Sequence, residues 1–166
     1  MRSFFARAAV FALLALSPSC NSQVSGTDLP KVPDFELSAL SGVGRVAFSK
    51  ANAKNPVLLV FWASWCPSCV EEIPALNEIQ NKFSPQGLKI LAVNVEESRQ
   101  TVLSFQKKHP MNYPVLLDEK GNVAEKFGLA GIPAAVLAGK GGKVLYFGFS
   151  LPGNLDKLLQ TERGNA

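Results

Sequence analysis

The chain has 166 residues, of which 47% are hydrophobic, 18% charged and 9% aromatic, which is the balance of an ordinary globular protein about one domain long. A chain this apolar can bury a core, and three cysteines are too few for a disulfide-stapled scaffold. Disorder, collagen and a disulfide-rich mini-protein are therefore excluded. The net charge is +4, from 17 basic and 13 acidic residues, and Arg2 and Arg7 lie in a segment that we expect to be removed. The remaining small excess of positive charge argues against a nucleic-acid partner.

Residues 1–19 have the pattern of a secretory signal peptide. Arg2 and Arg7 lie beside an unbroken apolar run of nine residues, Ala8 to Leu16, and small residues follow it. This run is well short of the roughly 20 residues that span a bilayer, so a permanent transmembrane helix is disfavoured. We therefore expect an extracytoplasmic protein, in the periplasm or on the outer face of the cell membrane.

Cys20 stands directly after this segment, in the position where bacterial lipoproteins are cleaved and acylated. Ser17 and Ser19 occupy the places where such a signal usually has Leu and then Ala or Gly, so the match is incomplete. A plain signal cut near Ser19 would instead leave Cys20 as an exposed thiol, which suits an oxidising compartment poorly. We expect a lipid anchor at Cys20 and a flexible tether over residues 20–33.

A globular domain is expected over residues 34–166, where the hydrophobic pattern changes. Residues 57–62 form a continuous apolar run, which is typical of a strand buried on both faces. The next stretch has apolar residues on one helical face, and a second apolar run completes a β-α-β unit with a right-handed crossover. Later, a glycine-rich turn between two short apolar runs indicates a hairpin.

The order of these segments predicts an α/β domain with a mixed central sheet flanked by helices. Its first half is expected to be parallel, with an antiparallel hairpin at one side. The predicted elements are two short strands between Phe35 and Phe48, a strand over 57–62, a helix from Pro67 to Phe83, a strand over 88–95, a helix capped by Ser98, a strand over 115–117, a helix over 123–127, strands over 134–138 and 144–149, and a closing helix that carries Leu155 and Leu159.

Two cysteines, Cys66 and Cys69, lie where the buried strand gives way to the predicted helix. A helix N-terminus presents free N–H groups and the positive end of the dipole, which favour a thiolate and lower the pKa of a cysteine. Cys66 is expected to be the exposed attacking thiol, and Cys69, one turn later, to resolve the mixed disulfide. We expect Pro67, Ser68 and the preceding Trp65 to form the surface that partners contact.

A structural disulfide and half of a zinc site are the other interpretations of this pair. A purely structural disulfide that closes so short a loop adds less stability than one that closes a long loop, because the entropic benefit grows with loop length. Zinc needs four ligands, and beyond the pair the chain offers only Cys20 and His109. A redox pair is favoured over both, with no metal and no cofactor other than the Cys66–Cys69 disulfide itself.

Five motifs carry a resemblance to a known family, and they are PDFEL at 33–37, FWASWCPSC at 61–69 with Glu72 and Pro74, AVNVEES at 92–98, YPVLLD at 113–118 and GIP at 131–133. From roughly Val32 to Gly148 the chain resembles thioredoxin-like proteins, and among them the TlpA/ResA-like extracytoplasmic thiol-disulfide oxidoreductases. The resemblance implies a thioredoxin-like fold with an N-terminal β extension. It also implies that Pro133 is a cis proline facing the cysteine pair, where the backbone of Ile132 pairs with an incoming peptide.

Glu72 lies three positions after Cys69, which places both residues on the same helix face. General thioredoxins have a buried Asp six residues before the first cysteine, and this chain has Val60 there. Glu72 matches the glutamate of the TlpA/ResA-like pattern, and as a partly buried acid with a raised pKa it could exchange protons with Cys69. The alternative is an ordinary solvated glutamate, such as we expect for Glu71 and Glu78.

The resemblance implies a membrane-tethered reductase that keeps selected cysteines of other exported proteins reduced. The implied substrate is apocytochrome c during cytochrome c maturation, and the implied electron donor is a membrane thiol-transfer protein of the CcdA/DsbD type. The chain departs from the family pattern at two places that tune the site. Pro67 stands first between the cysteines instead of just before the second, and Ala134 replaces the usual Thr after the cis proline.

Two alternative functions stay open on the sequence. An oxidant that introduces disulfides uses the same chemistry and would need a strongly stabilised Cys66 thiolate. A non-enzymatic copper carrier would bind the metal through both cysteines, but such carriers usually add a late histidine, and His109 has no motif around it. A peroxidase is excluded because the chain lacks a Pro-x-x-x-Thr-x-x-Cys stretch.

Overall fold

A computed structural model of the chain describes residues 31–42 and 44–164. The predicted signal peptide, the lipid attachment at Cys20 and most of the predicted tether lie outside these residues. We predicted that the flexible tether extends to residue 33, and this boundary is wrong. Lys31 already forms a β-bridge with Lys143 of the domain. Val32 is buried and donates its N–H to the Gly142 carbonyl at 2.8 Å. Burial of this apolar side chain ties the segment to the domain.

In the described residues a seven-stranded mixed sheet packs with six α-helices, and the strand order is β2-β1-β5-β4-β3-β6-β7. This architecture confirms the predicted α/β, thioredoxin-like fold. The strands are β1 (Glu36–Ala39), β2 (Arg45–Ala47), β3 (Val57–Trp62), β4 (Lys89–Val95), β5 (Val115–Asp118), β6 (Ala134–Ala138) and β7 (Val144–Gly148). The helices are α1 (Phe48–Asn52), α2 (Pro67–Glu71), α3 (Ile73–Phe83), α4 (Arg99–Gln106), α5 (Asn122–Lys126) and α6 (Leu155–Gly164).

The centre of the sheet is parallel, with β3 beside β4 and β4 beside β5. The hairpin of β6 and β7 adds antiparallel strands next to β3, as predicted. Every residue of β3 is buried, because both faces of the sheet are covered. Alternate residues from Leu58 pack in one core cluster and alternate residues from Val57 in the other, one cluster on each face.

The N-terminal β extension is confirmed at the other side of the sheet. Strand β1 pairs antiparallel with both β2 and β5. The Arg99 guanidinium, at the start of α4, donates hydrogen bonds to the carbonyls of Ala39, at 3.0 Å, and Leu40. These bonds satisfy backbone groups at the end of β1 and tie the extension to the domain.

The helix predicted from Pro67 to Phe83 is divided into α2 and α3 at Glu72. Pro74 is the cause, because a proline has no N–H to donate to the carbonyl four residues earlier and its ring crowds that carbonyl. The residue four positions earlier is Val70, whereas the N–H of Glu72 donates to the Ser68 carbonyl at 3.3 Å in the last turn of α2. Glu72 therefore lies at the junction of two short helices and not within one regular helix.

Three loops meet at one end of the sheet. Phe61 of β3 pairs with Ala134 of the antiparallel β6, so the segment after Trp62 leaves the sheet beside the segment before Ala134. Trp62 also pairs with Asn94 of the parallel β4. The segments after β3 and β4 and the one before β6 are thereby brought together, and the site lies among them.

Candidate active site

Cys66 and Cys69 form a disulfide at the start of α2, with their Cα atoms 5.3 Å apart. Cys66 is the extended N-cap residue of the helix, and its Sγ accepts the N–H of Cys69 at 3.3 Å. Pro67 suits the first turn because its missing N–H would have no partner there. The local sequence therefore places the sulfur of Cys66 against the free N–H groups of a helix, where negative charge is stabilised.

Both cysteines are buried in this oxidised form, with 4% of the surface of Cys66 and 3% of the surface of Cys69 exposed to solvent. Our expectation of an exposed Cys66 is therefore wrong for the disulfide state. The cause is local, because Cys66 both caps the helix and bonds to Cys69, and the pair belongs to the core cluster that contains Trp62. Trp65 is 68% exposed and Trp62 is buried, which agrees with the surface and core positions predicted for them.

The residues between the cysteines lie at the surface. Pro67 and Ser68 are both exposed. The Ser68 hydroxyl lies 3.7 Å from the Sγ of Cys66, a distance at which it can form a weak hydrogen bond with sulfur. In the reduced pair this hydroxyl and the N–H of Cys69 are donors that favour a thiolate at Cys66.

The peptide bond between Ile132 and Pro133 is cis, as the resemblance implied. Pro133 precedes β6, so it lies at the end of the sheet where the chain enters the cysteine segment. A groove of about 500 Å³ runs between these loops and is lined by residues that include Trp65, Val95, Leu129 and Ile132. The groove is thus bounded by Trp65, which precedes the redox pair, and by Ile132, which precedes the cis proline.

Glu72 is half-buried, and burial raises the pKa of its carboxyl above the ordinary value. The N–H of Leu151 donates to its Oε1 at 3.3 Å and partly offsets that effect. Burial, followed by the charge of Glu72, raises the pKa of the Tyr113 phenol. The raised pKa that we predicted for Glu72 is confirmed in direction, while its exchange of protons with Cys69 stays a prediction.

A buried glutamate that the sequence analysis did not single out also reaches the site. Glu97, after β4, accepts hydrogen bonds from the backbone N–H of Ser64 at 2.7 Å and from the Ser64 hydroxyl. The side chain of Asn94 donates to the same carboxylate at 2.7 Å. The available signal was the spacing of Asn94 and Glu97 at the end of a buried strand next to β3, where polar side chains meet at a sheet edge.

The described part of the chain contains no group of three or more His, Cys, Asp or Glu residues placed to hold a metal ion. Among the same residues no helix is long and apolar enough to cross a membrane. At the position of the buried thioredoxin Asp, Val60 is buried and apolar.

Comparison with known proteins gives the family. Residues 30–147 match the AhpC/TSA family. The chain is 36% identical to the thiol-disulfide oxidoreductase ResA of Geobacillus thermodenitrificans over 112 residues, which are 68% of this chain and 63% of that protein. The ResA of Bacillus subtilis is 35% identical over 113 residues, which are 68% of this chain and 62% of that protein. The match thus spans a little under two thirds of the length of these curated relatives.

Solved structures give the same fold. The crystal structure of a protein assigned as the thiol:disulfide interchange protein DsbE of Chlorobium tepidum has a TM-score of 0.70 and 29% identity, and the match covers 82% of this chain and 95% of that one. StoA of Bacillus subtilis, at 22% identity and a TM-score of 0.63, covers 81% of this chain and 98% of its own and supports the fold alone. The resemblance to ResA-like thioredoxin-fold proteins is confirmed, and the chain belongs to the AhpC/TSA family.

Proposed function

We propose that the chain is an extracytoplasmic thiol-disulfide oxidoreductase that reduces disulfides in exported proteins. The observation that carries the proposal is the Cys66–Cys69 disulfide at the start of α2, at the same end of the sheet as the cis Pro133 loop. A helix N-terminus stabilises the thiolate that attacks, and the short spacing lets the second cysteine resolve the intermediate. The ResA relatives, named thiol-disulfide oxidoreductases, support the same reaction class.

The reaction is a two-step exchange that needs no metal and no organic cofactor. The Cys66 thiolate attacks one sulfur of a substrate disulfide, which forms a mixed disulfide and releases one substrate thiolate. The Cys69 thiolate then attacks the Sγ of Cys66, which forms the Cys66–Cys69 disulfide and releases the second substrate thiolate. Each turnover moves two electrons to the substrate, and a reductant must restore the dithiol.

Glu72 is the residue that we propose to move the proton of Cys69. A thiol must lose its proton before it can resolve the mixed disulfide, because the thiolate is the nucleophile. Burial raises the pKa of Glu72, so this carboxyl can accept and return a proton nearer neutral pH than a solvated glutamate can. Its position, three residues after Cys69 at the junction of α2 and α3, supports this role.

The substrate is proposed to lie in the groove between Trp65 and Ile132, with its backbone against the cis-proline loop. The resemblance to TlpA/ResA-like proteins supports apocytochrome c, with its haem-attachment cysteines, as a substrate. It likewise supports a membrane donor of the CcdA/DsbD type. The signal-like segment of residues 1–19 supports export, and Cys20 supports a lipid anchor on the outer face of the membrane.

Trapping of the intermediate tests the proposal. The reduced Cys69→Ser variant, given a synthetic peptide with a Cys-x-x-Cys-His disulfide, should accumulate a mixed disulfide through Cys66, because the resolving thiol is absent. The Cys66→Ser variant, matched in composition, should form none. A Cys69→Ser variant that traps no peptide would contradict the proposed reductase. If the wild-type disulfide oxidises the reduced peptide faster than the wild-type dithiol reduces the oxidised peptide, the alternative function as an oxidant is favoured.

A further inference from the structure

We infer that Glu97 is a positioning residue for the redox pair, which holds the segment before Cys66 and disfavours its thiolate; this rests on the proposed function. Glu97 comes from the segment after β4, not from the helix that carries the cysteines. It is one of the few buried charged residues in the described chain, with 8% of its surface exposed. A charge that is removed from water in this way needs strong partners.

Its partners are Ser64, which lies in the cysteine segment, and Asn94, which lies in β4. One oxygen accepts the Ser64 N–H at 2.7 Å and the Asn94 amide at 2.7 Å, and the other accepts the Ser64 hydroxyl. Three donors on two oxygens are the bonding pattern of an ionised carboxylate, which only accepts. If a glutamine replaced Glu97, its amide N–H₂ group would face one of these donors, and two donors cannot form a hydrogen bond with each other. The arrangement is therefore specific for a carboxylate.

Ser64 leads directly into the redox motif. The next turn is closed by the N–H of Cys66, which donates to the Ala63 carbonyl at 3.2 Å, and the exposed Trp65 lies within it. The bonds from Glu97, in the segment after β4, hold Ser64 in place. They therefore also set the point at which the chain enters α2 and the position of Trp65, the side chain that we expect to contact a partner. Hydrogen bonds that hold such a segment reduce the misplacement of reacting atoms in the bound complex.

The negative charge of Glu97 has a second effect. Two residues of chain keep the Cα atoms of Ser64 and Cys66 within about 7 Å of each other. Because the carboxylate lies 2.7 Å from the Ser64 nitrogen, it is within roughly 12 Å of the Cα of Cys66. Arg99, two residues along the chain, donates its hydrogen bonds to the Ala39 and Leu40 carbonyls and forms none with Glu97. No ion pair involves Glu97 in the described part of the chain. An anion without an ion-pair partner at this range disfavours a thiolate and hence the reduced pair.

The test is the equilibrium of the cysteine pair with glutathione in the full chain. Glu97→Gln should shift it toward the dithiol by about fivefold, since a unit charge about 12 Å away at an effective dielectric constant of about 20 changes an equilibrium by up to about tenfold and salt screens part of that effect. Glu97→Asp, which keeps the charge, should stay within about twofold of wild type. Asp118→Asn is the matched control, because Asp118 is another buried carboxylate and accepts the N–H groups of Val123 and Ala124 at 3.0 and 2.9 Å. It should also stay within about twofold.

Ser64→Ala supplies a second, milder variant, since it removes the hydroxyl partner and keeps the carboxylate. It should lower the rate constant for reduction of a disulfide peptide by about threefold, the effect of one lost hydrogen bond of modest strength. Should Glu97→Gln fail to fold, an unchanged rate in Ser64→Ala overturns the inference. Where Glu97→Gln folds, an equilibrium equal to that of wild type and of Asp118→Asn overturns it. Failure of the wild-type pair to equilibrate with glutathione would instead overturn the proposed function.

Discussion

Reduction of the Cys66–Cys69 disulfide should lower the stability of the folded domain. The bond closes a loop of only four residues, because the cysteines are separated by three positions. The chain-entropy relation for a cross-link of that size gives about 6 cal/mol/K, or about 1.9 kcal/mol at 25 °C, by which the disulfide destabilises the unfolded chain. For a domain of roughly 130 residues, 1 kcal/mol corresponds to about 3.6 °C in the melting temperature. The oxidised form should therefore melt about 7 °C above the reduced form.

The same number carries information on the direction of electron flow. Folding and reduction form a closed thermodynamic cycle, so a disulfide that stabilises the fold has a lower reduction potential in the folded chain than in the unfolded chain. A difference of about 1.9 kcal/mol corresponds to roughly 40 mV for a two-electron couple. A pair that is more reducing when folded is what a reductase requires, whereas an oxidant stabilises its reduced form.

Differential scanning calorimetry of the oxidised protein, with and without an excess of dithiothreitol, measures this difference. A variant with both Cys66 and Cys69 replaced by Ala is the control, since its melting temperature should not respond to the reductant. A reduced form that melts at the same temperature as the oxidised form, or above it, would refute the reasoning. Such a result would mean that the native fold opposes the disulfide.

Three further changes have expected outcomes. Glu72→Gln should raise the free energy of unfolding at pH 7 by no more than about 1 kcal/mol, because a raised pKa means that the ionised carboxyl opposes folding. Calorimetry should show that this gain in stability vanishes below about pH 4, where the carboxyl is protonated in the unfolded chain as well. Asp34→Ala should lower stability by no more than about 0.5 kcal/mol because the site is exposed to solvent, and the cause is the loss of the hydrogen bonds from the Ser49 and Phe35 N–H groups, which lower the pKa of Asp34. Urea titrations should show this loss at neutral pH and a smaller one as the pH falls through the lowered pKa. Leu58→Ala should lower the free energy of unfolding in urea by about 3 kcal/mol, and a loss under 1 kcal/mol would contradict its place in the core.

Much of the fold follows from local patterns in the sequence. The apolar run at 57–62 is typical of a strand covered on both faces, and the glycine-rich turn after Ala138 is typical of a hairpin, and the structure confirms both predictions. The division of the helix at Glu72 was missed although Pro74 was visible. The apolar residues before and after the break keep the same helical periodicity, so periodicity alone predicts one helix. It does not show that Pro74 lacks the N–H that a continuous helix would need.

The site was less predictable than the fold. The cysteine pair and its helix position could be read from spacing, but the cis bond at Pro133 came only through resemblance, since an isolated Ile-Pro sequence usually marks a turn. The burial of Cys66 depends on side-chain direction at an N-cap, which spacing does not give. The bonds between Ser64 and Glu97 join residues 33 positions apart, and only the pairing of β3 with β4 brings them together.

The reduction potential of the Cys66–Cys69 pair tests the central claim most directly. The full chain is equilibrated with defined glutathione mixtures, and the reduced fraction is read by thiol alkylation and mass spectrometry. A reductase predicts a potential near that of thioredoxin, about −270 mV. A potential near that of DsbA, about −120 mV, would contradict the claim and make the protein an oxidant.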